Sequence, residues 1–159
     1  MIAGGSGFPG VFSHTLDMSQ RQSPQNIKFI WVQKTIGELQ YHLKDLLYKL
    51  KDSRVIIDVY LTRENNLDSF STAEKHSSSD SEKEKELDLG DLKAFINFKF
   101  GKPDFRQLLH SEIEAFGGGS VGICACGPPV VMDDLKHAVS KELVAYNERI
   151  DYFDEFQKW

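Results

Sequence analysis

The chain has 159 residues, of which 27% are charged and 40% hydrophobic, and its formal net charge is −5 at pH 7. This length suits one domain with one substantial core. The acidic excess lies in residues 64–91, and the near-neutral remainder offers no basic face for nucleic acid. The five histidines and two cysteines follow no metal-ligand spacing, so the sequence predicts no metal site.

The first elements are short and apolar. Residues 1–3 form an apolar stub before the glycine-rich turn Gly4–Gly10, and residues 11–18 are compatible with a short helix. Strands are predicted over residues 27–32 and 55–61, because both runs are rich in β-branched and aromatic side chains.

A helix is predicted between these two strands. Thr35 and Glu38 have the spacing of a capping box, and the apolar face of the helix would contain Ile36, Leu39, Leu43, Leu46, Leu47 and Leu50. Residues 64–91 then hold nine acidic and three basic residues with no apolar period. We expect this tract to be a disordered acidic insertion within a single domain of residues 1–159, with a phosphorylated regulatory loop as the alternative.

The second half repeats the alternation. A strand is predicted over residues 94–100, then a helix with Pro103 in its first turn that ends before Gly117, a strand over 121–126 and a helix from about 130 to 146. Strands that alternate with helices form parallel β-α-β units with right-handed crossovers. The sequence therefore predicts an α/β fold, an open parallel sheet of about five strands with helices on both faces.

In such a sheet a ligand binds outside the carboxyl ends of the strands. The turn that contains Gly4, Gly5, Ser6 and Gly7 would let the backbone approach a pyrophosphate at the start of the following helix. The same composition is also typical of a flexible linker, so the turn alone leaves both interpretations open.

Other strand ends carry groups suited to an anion. Thr62 and Arg63 supply a hydroxyl donor and a guanidinium fork that fit a phosphate monoester, and Lys34 adds a cation. Solvated surface residues are the alternative for each of them. Cys126 ends the last predicted strand, and Gly127 beside it has no side chain to obstruct a planar ring. A buried structural cysteine is the alternative for Cys126.

Taken together, these motifs resemble the NADPH-binding domain of the fungal ferric-chelate reductases, within the ferredoxin–NADP reductase and NADPH oxidase superfamily. The resemblance covers nearly the whole chain except the acidic tract. It rests on six motifs: Gly4–Gly10, Trp31–Lys34, Thr62–Glu64, Gly101–Phe105, Cys126–Pro129 and Asp151–Trp159.

The resemblance implies a set of site residues. Those expected to bind NADPH are Gly4, Gly5, Ser6, Gly7, Lys34, Thr62, Arg63, Lys102, Cys126, Gly127 and Pro128. Cys126 would pack against the nicotinamide, and Trp159 would cover the flavin ring unless it simply packs on its own domain. Lys34 and Lys102 stand where relatives often carry Arg. Phe8-Pro9 stands where relatives have Thr-Pro, so Ser6 is the candidate for the missing hydroxyl.

For an intact parent protein, the resemblance implies hydride transfer from NADPH to FAD and electron transfer through haem to extracellular ferric or cupric chelates. The FAD-binding and transmembrane haem domains would be its partners, and the site would face the cytosol at the plasma membrane. We expect the present chain to be an amino-terminally truncated fragment that is inactive alone. A non-catalytic remnant or nucleotide-binding module is the alternative.

Overall fold

The computed structural model describes residues 1–21, 25–37, 46–67 and 92–155. They contain a six-stranded sheet in the order β4-β3-β2-β1-β5-β6, in which every neighbouring pair is parallel. Its strands are β1 (Ile2–Gly4), β2 (Ile27–Gln33), β3 (Val55–Leu61), β4 (Ile96–Phe100), β5 (Val121–Cys126) and β6 (Ile150–Glu155).

Three α-helices cover the two faces of the sheet within the described residues. They are α1 (Phe8–Gln20), α2 (Phe105–Ala115) and α3 (Pro129–Ala145). Helix α1 packs on one face, where the Phe8 ring lies 4.2 Å from the Trp31 ring, while α2 and α3 bury their apolar sides on the other face. This arrangement confirms the predicted α/β class with helices on both faces.

The sheet has six strands rather than about five. The missed strand is β6, which pairs with β5 from Val121↔Ile150 to Cys126↔Glu155. It lies at the edge of the sheet, contains three acidic residues and leaves the Phe153 side chain exposed. An edge strand is less buried than a central strand and pairs its backbone with one neighbour only. It therefore does not need the continuous apolar pattern by which a buried strand is predicted.

The remaining predicted elements lie close to their expected positions. Strands β3 and β5 have the predicted bounds, and α1 begins at Phe8 rather than at residue 11. The earlier start of α1 follows from Pro9, which is well suited to the first helical turn.

Two predictions fall partly outside the described residues. Of the helix predicted after Thr35, only Ile36 and Gly37 are described as helical, and a short 3₁₀ helix follows at Leu47–Leu50. Of the predicted acidic insertion, residues 68–91 lie outside the described ranges. Its first residues are part of the fold, because Leu67 packs against the core.

Candidate functional site

Strand β1 occupies the topological switch point of the sheet. The chain extends from β1 through β2 and β3 to β4 on one side, then returns to place β5 and β6 on the other. Ala3 pairs with Cys126 at the carboxyl ends of β1 and β5. In open α/β sheets a ligand crevice lies at this point. The two turns that the sequence singled out, after Gly4 and after Cys126, therefore lie side by side.

Three glycines allow these two turns to touch. A Cβ atom on Gly7 would lie 2.2 Å from the carbonyl oxygen of Cys126, and one on Gly127 would lie 3.1 Å from Cα of Gly4. A Cβ on Gly4 would lie 3.0 Å from Cδ of Pro128. Gly127 thus has a packing reason for its missing side chain. Because the turn after β1 is folded against the turn after β5, the flexible-linker interpretation was wrong.

Gly5 and Ser6 form the open side of the first turn. Gly5 has a φ of +49°, and a Cβ there would meet no heavy atom of the described residues within 4 Å. Ser6 is exposed and is separated by Gly7 alone from the start of α1, whose first turn contains no acidic residue. An anion can approach this backbone, where the dipole of a 13-residue helix favours negative charge.

The loops after β2 and β3 run beside each other. The backbone N–H of Thr62 donates to the carbonyl of Gln33 at 2.8 Å, and that of Arg63 donates to the carbonyl of Lys34 at 3.0 Å. Lys34 and Arg63 are exposed, and Thr62 is half-buried. Within the described ranges, no carboxylate forms an ion pair with either cation. The structure thus brings these three predicted residues together.

Lys102 lies on the loop after β4 and is already paired. Its Nζ lies 2.7 Å from Oδ2 of Asp134 on α3, and both side chains are largely exposed. Exposed pairs of this kind contribute about 0–1 kcal/mol. The loop itself is held by the backbone N–H of Gly101, which donates to the carbonyl of Leu61 at 2.9 Å, and by Asp104, which caps α2.

Cys126 is 1% exposed and belongs to the core on the α1 face of the sheet. This burial is what a structural cysteine would show, and the exposed part of the turn is formed by the backbone around Gly127 and by Pro128. Trp159 lies outside the described residues.

Two further residues near these turns were not assigned by the sequence. The Gln33 side chain is 6% exposed, and its Nε2 donates to the carbonyl of Gly5 at 3.4 Å, which links β2 to the first turn. Oε1 of Glu64 accepts from the backbone N–H of Ile36 at 3.1 Å. A polar residue at the end of an apolar strand was the available signal for Gln33.

A cavity of about 320 Å³ lies at the opposite end of the sheet, where the strands begin. It lies at the amino ends of β1, β2 and β5 and includes Met1, Ile2 and Lys28 in its lining. The α-ammonium of Met1 donates to the carbonyl of Lys28 at 2.9 Å, and desolvation lowers its pKa from 8.0 to about 6. None of the predicted site residues that the structure describes lines this cavity.

Comparison with known proteins identifies the family. Residues 1–140 match the model of the ferric reductase NAD binding domain. The chain belongs to this family. Among its relatives, a probable ferric reductase transmembrane component of Candida albicans is 28% identical over 170 residues, which cover 99% of this chain and 25% of the relative.

Other relatives of this NAD-binding domain carry similar names. Ferric/cupric reductase transmembrane component 1 of Candida albicans is 28% identical, over 99% of this chain and 22% of the relative. Ferric reductase transmembrane component 6 of Saccharomyces cerevisiae is 31% identical, over 100% of this chain and 22% of the relative. The chain thus spans about a quarter of the length of these curated relatives. No helix in the described part of this chain is long and apolar enough to cross a membrane.

Proposed function

We propose that this chain binds NADPH at the carboxyl edge of its sheet and presents the nicotinamide for hydride transfer to a flavin. NADPH is the cofactor in this proposal, and FAD is held mainly by another domain. The observation that carries the proposal is the position of the Gly4–Gly7 turn. It lies at the switch point of the sheet, in a family whose model is an NAD-binding domain.

The Gly4–Gly7 turn binds the pyrophosphate in this proposal. Its packing against Gly127 fixes the backbone, while Gly5 and Ser6 remain on the accessible side. Backbone N–H groups and the amino terminus of α1 then stabilise the negative charge. The hydroxyl of Ser6 is available for the contact that a Thr-Pro pair makes in related turns.

The adenosine 2′-phosphate binds to Lys34, Thr62 and Arg63. The guanidinium and ammonium groups face solvent on adjacent loops, and a phosphate monoester accepts charge-assisted hydrogen bonds from both. Lys102 is a further candidate, because its exposed pair with Asp134 is weak enough to be exchanged for a phosphate contact.

The nicotinamide lies beside Cys126, Gly127 and Pro128. Bound NADPH supplies the hydride, and the chain orients the ring and excludes water from it. The thiol of Cys126 is buried beneath the turn, so it acts as packing under the ring rather than as a nucleophile. Trp159 covers the flavin at the place where nicotinamide stacks, as the family resemblance implies.

For the intact protein we propose a transmembrane ferric-chelate reductase whose NADPH site faces the cytosol at the plasma membrane. Electrons pass from FAD through haem to extracellular ferric or cupric chelates. The names of the relatives as ferric or ferric/cupric reductase transmembrane components support this assignment. The 159-residue chain contributes the nucleotide-binding part and is inactive alone.

An NMR titration of the isolated chain with NADP⁺ tests the proposed site. Amide signals of Gly5, Ser6, Lys34 and Arg63 are expected to shift together and saturate with one dissociation constant. Signals from the amino-edge cavity, such as that of Gly118, serve as the internal control and should stay in place. Shifts confined to the amino edge, or none at millimolar NADP⁺, would refute the proposal.

A further inference from the structure

Glu64 directly follows two of the residues proposed to bind the phosphate, and its side chain is bonded to the backbone of the neighbouring loop. Its Oε1 accepts from the backbone N–H of Ile36 at 3.1 Å. Ile36 lies two residues after Lys34, on the neighbouring loop. The side chain of Glu64 therefore connects the loop that carries Arg63 to the loop that carries Lys34.

Within the described residues, this contact is one of three bonds that join the loop after β3 to the end of β2 and the loop that follows it. The other two are the backbone bonds from Thr62 to Gln33 and from Arg63 to Lys34, at 2.8 Å and 3.0 Å. A helical turn begins at Ile36, so its N–H has no helical acceptor and a carboxylate there is favourable. The bond to Glu64 is thus charge-assisted and stronger than a bond between neutral groups.

The orientation of Glu64 also affects the neighbouring cations. Its second oxygen, Oε2, is buried and has no hydrogen-bond partner among the described residues. A carboxylate held in this way forms no ion pair with Arg63 or Lys34 in the described part of the chain. Among the described residues, both cations are therefore available for an external anion, although an acidic residue lies next to Arg63 in the sequence.

We propose that Glu64 is a positioning residue that determines how well this site distinguishes a nucleotide with a 2′-phosphate from one without it. It holds the loops of Lys34 and Arg63 at a fixed separation and keeps its own charge turned inward. This inference rests on the proposed phosphate site. It adds to the two cations of that site a third residue, Glu64, which fixes their separation.

The test compares 2′,5′-ADP with 5′-AMP in NMR titrations of the full chain. Glu64→Ala removes the bond to Ile36. It is expected to raise the dissociation constant of 2′,5′-ADP about tenfold and to change that of 5′-AMP less than about twofold. Glu64→Gln keeps an oxygen acceptor for the N–H of Ile36, with a weaker neutral bond, and removes a negative charge beside the phosphate. These two effects oppose each other, so this variant is expected to bind 2′,5′-ADP about as tightly as the parent. Glu64→Asp keeps the charge but shortens the side chain, and should resemble Glu64→Ala.

The outcomes separate the positioning role from other roles. If Glu64→Ala and Glu64→Gln weaken both ligands equally, Glu64 is merely structural and the inference is wrong. If Glu64→Asp behaves like the parent, the charge matters rather than the bond to Ile36, and the inference is again wrong. If Glu64→Ala fails to fold, Glu64→Asp and Glu64→Gln still show whether the bond to Ile36 or the charge of Glu64 matters.

Arg63→Ala in the same series separates this inference from the proposed function. If Arg63→Ala weakens 2′,5′-ADP but all Glu64 variants bind normally, only the positioning role is overturned. If Arg63→Ala leaves 2′,5′-ADP binding unchanged, the phosphate site itself is wrong, and the inference fails with it.

Discussion

Gly7 lies so close to Cys126 that a Cβ atom on Gly7 would be 2.2 Å from the carbonyl oxygen of Cys126. Gly7 lies in the turn after β1 and Cys126 is the last residue of β5, so the two residues are far apart in the sequence. Backbone atoms cannot move aside as a flexible side chain can, so this contact depends on glycine.

Replacement of Gly7 by alanine should therefore destabilise the fold. We expect a loss of about 3 kcal/mol in the free energy of unfolding, because the two turns must separate to accept the methyl group. Urea unfolding followed by circular dichroism measures it. Gly122→Ala is the matched control, since a Cβ there meets nothing within 4 Å in the described structure and Gly122 has no positive φ. Equal stability of the two variants would contradict the close contact.

The α-ammonium of Met1 should make stability depend on pH. Its pKa is about 6 in the folded chain against an ordinary 8.0, so the unfolded chain binds more protons between these values. The free energy of unfolding therefore rises between pH 6 and pH 8 because of this group, by an amount on the order of 2 kcal/mol.

Amino-terminal acetylation provides the control for this pH dependence. The acetylated chain has no ammonium, and the adjacent cavity of about 320 Å³ has room for the added group. Thermal unfolding of both forms should differ most at pH 6 and least above pH 8. A constant difference between the two forms across this range would show that burial of the charge is not the cause.

The strands and helices with strong local patterns were predictable. Strands β3 and β5 are runs rich in apolar residues that stop at Thr62 and at Gly127, and their predicted bounds agree with the structure. Strand β6 was missed because an acidic edge strand has no such pattern. The position of the crevice was predictable, because parallel strands place their carboxyl ends together whichever residues follow them. The contacts that line the crevice were not predictable in this way.

The contacts within the site were not predictable from local patterns. The need for glycine at position 7 arises from the backbone of Cys126, and the acceptor for the N–H of Ile36 comes from Glu64. Lys102 was expected to bind the cofactor, and its pairing with Asp134 depends on how close the loop after β4 lies to helix α3. Sequence periodicity determines which face a residue occupies and carries no information on such distant partners.

The length of the acidic tract should matter little to the fold. Deletion of residues 68–91, with a short Gly/Ser connection, is expected to change the free energy of unfolding by less than about 1 kcal/mol, because loop-closure entropy varies slowly with length. The deletion must spare Leu67, which packs against the core, and Leu92, which is fully buried. A deletion that also removes Leu67 is the comparison. If the deletion of residues 68–91 lowers the free energy of unfolding as much as the deletion that also removes Leu67, the acidic tract contributes to folding.

The isolated chain should lack redox activity of its own. We expect it to purify colourless and to reduce no ferric chelate with NADPH until an FAD-binding partner is supplied, because the flavin belongs mainly to another domain in our proposal. Absorbance near the flavin bands and a ferric reduction assay measure this. A yellow preparation that reduces ferric chelates alone would overturn this division of roles.

The most direct test of the proposed NADPH site is the cofactor selectivity of Arg63→Ala. Loss of a charge-assisted contact to the 2′-phosphate should weaken NADPH by about 1.5–3 kcal/mol and leave NADH nearly unchanged. Arg54→Ala is the matched control, because Arg54 is exposed and precedes β3 at the opposite edge of the sheet. We predict that Arg54→Ala binds both cofactors as the parent does. Equal weakening of NADPH and NADH by Arg63→Ala, or no weakening of either, would contradict the account.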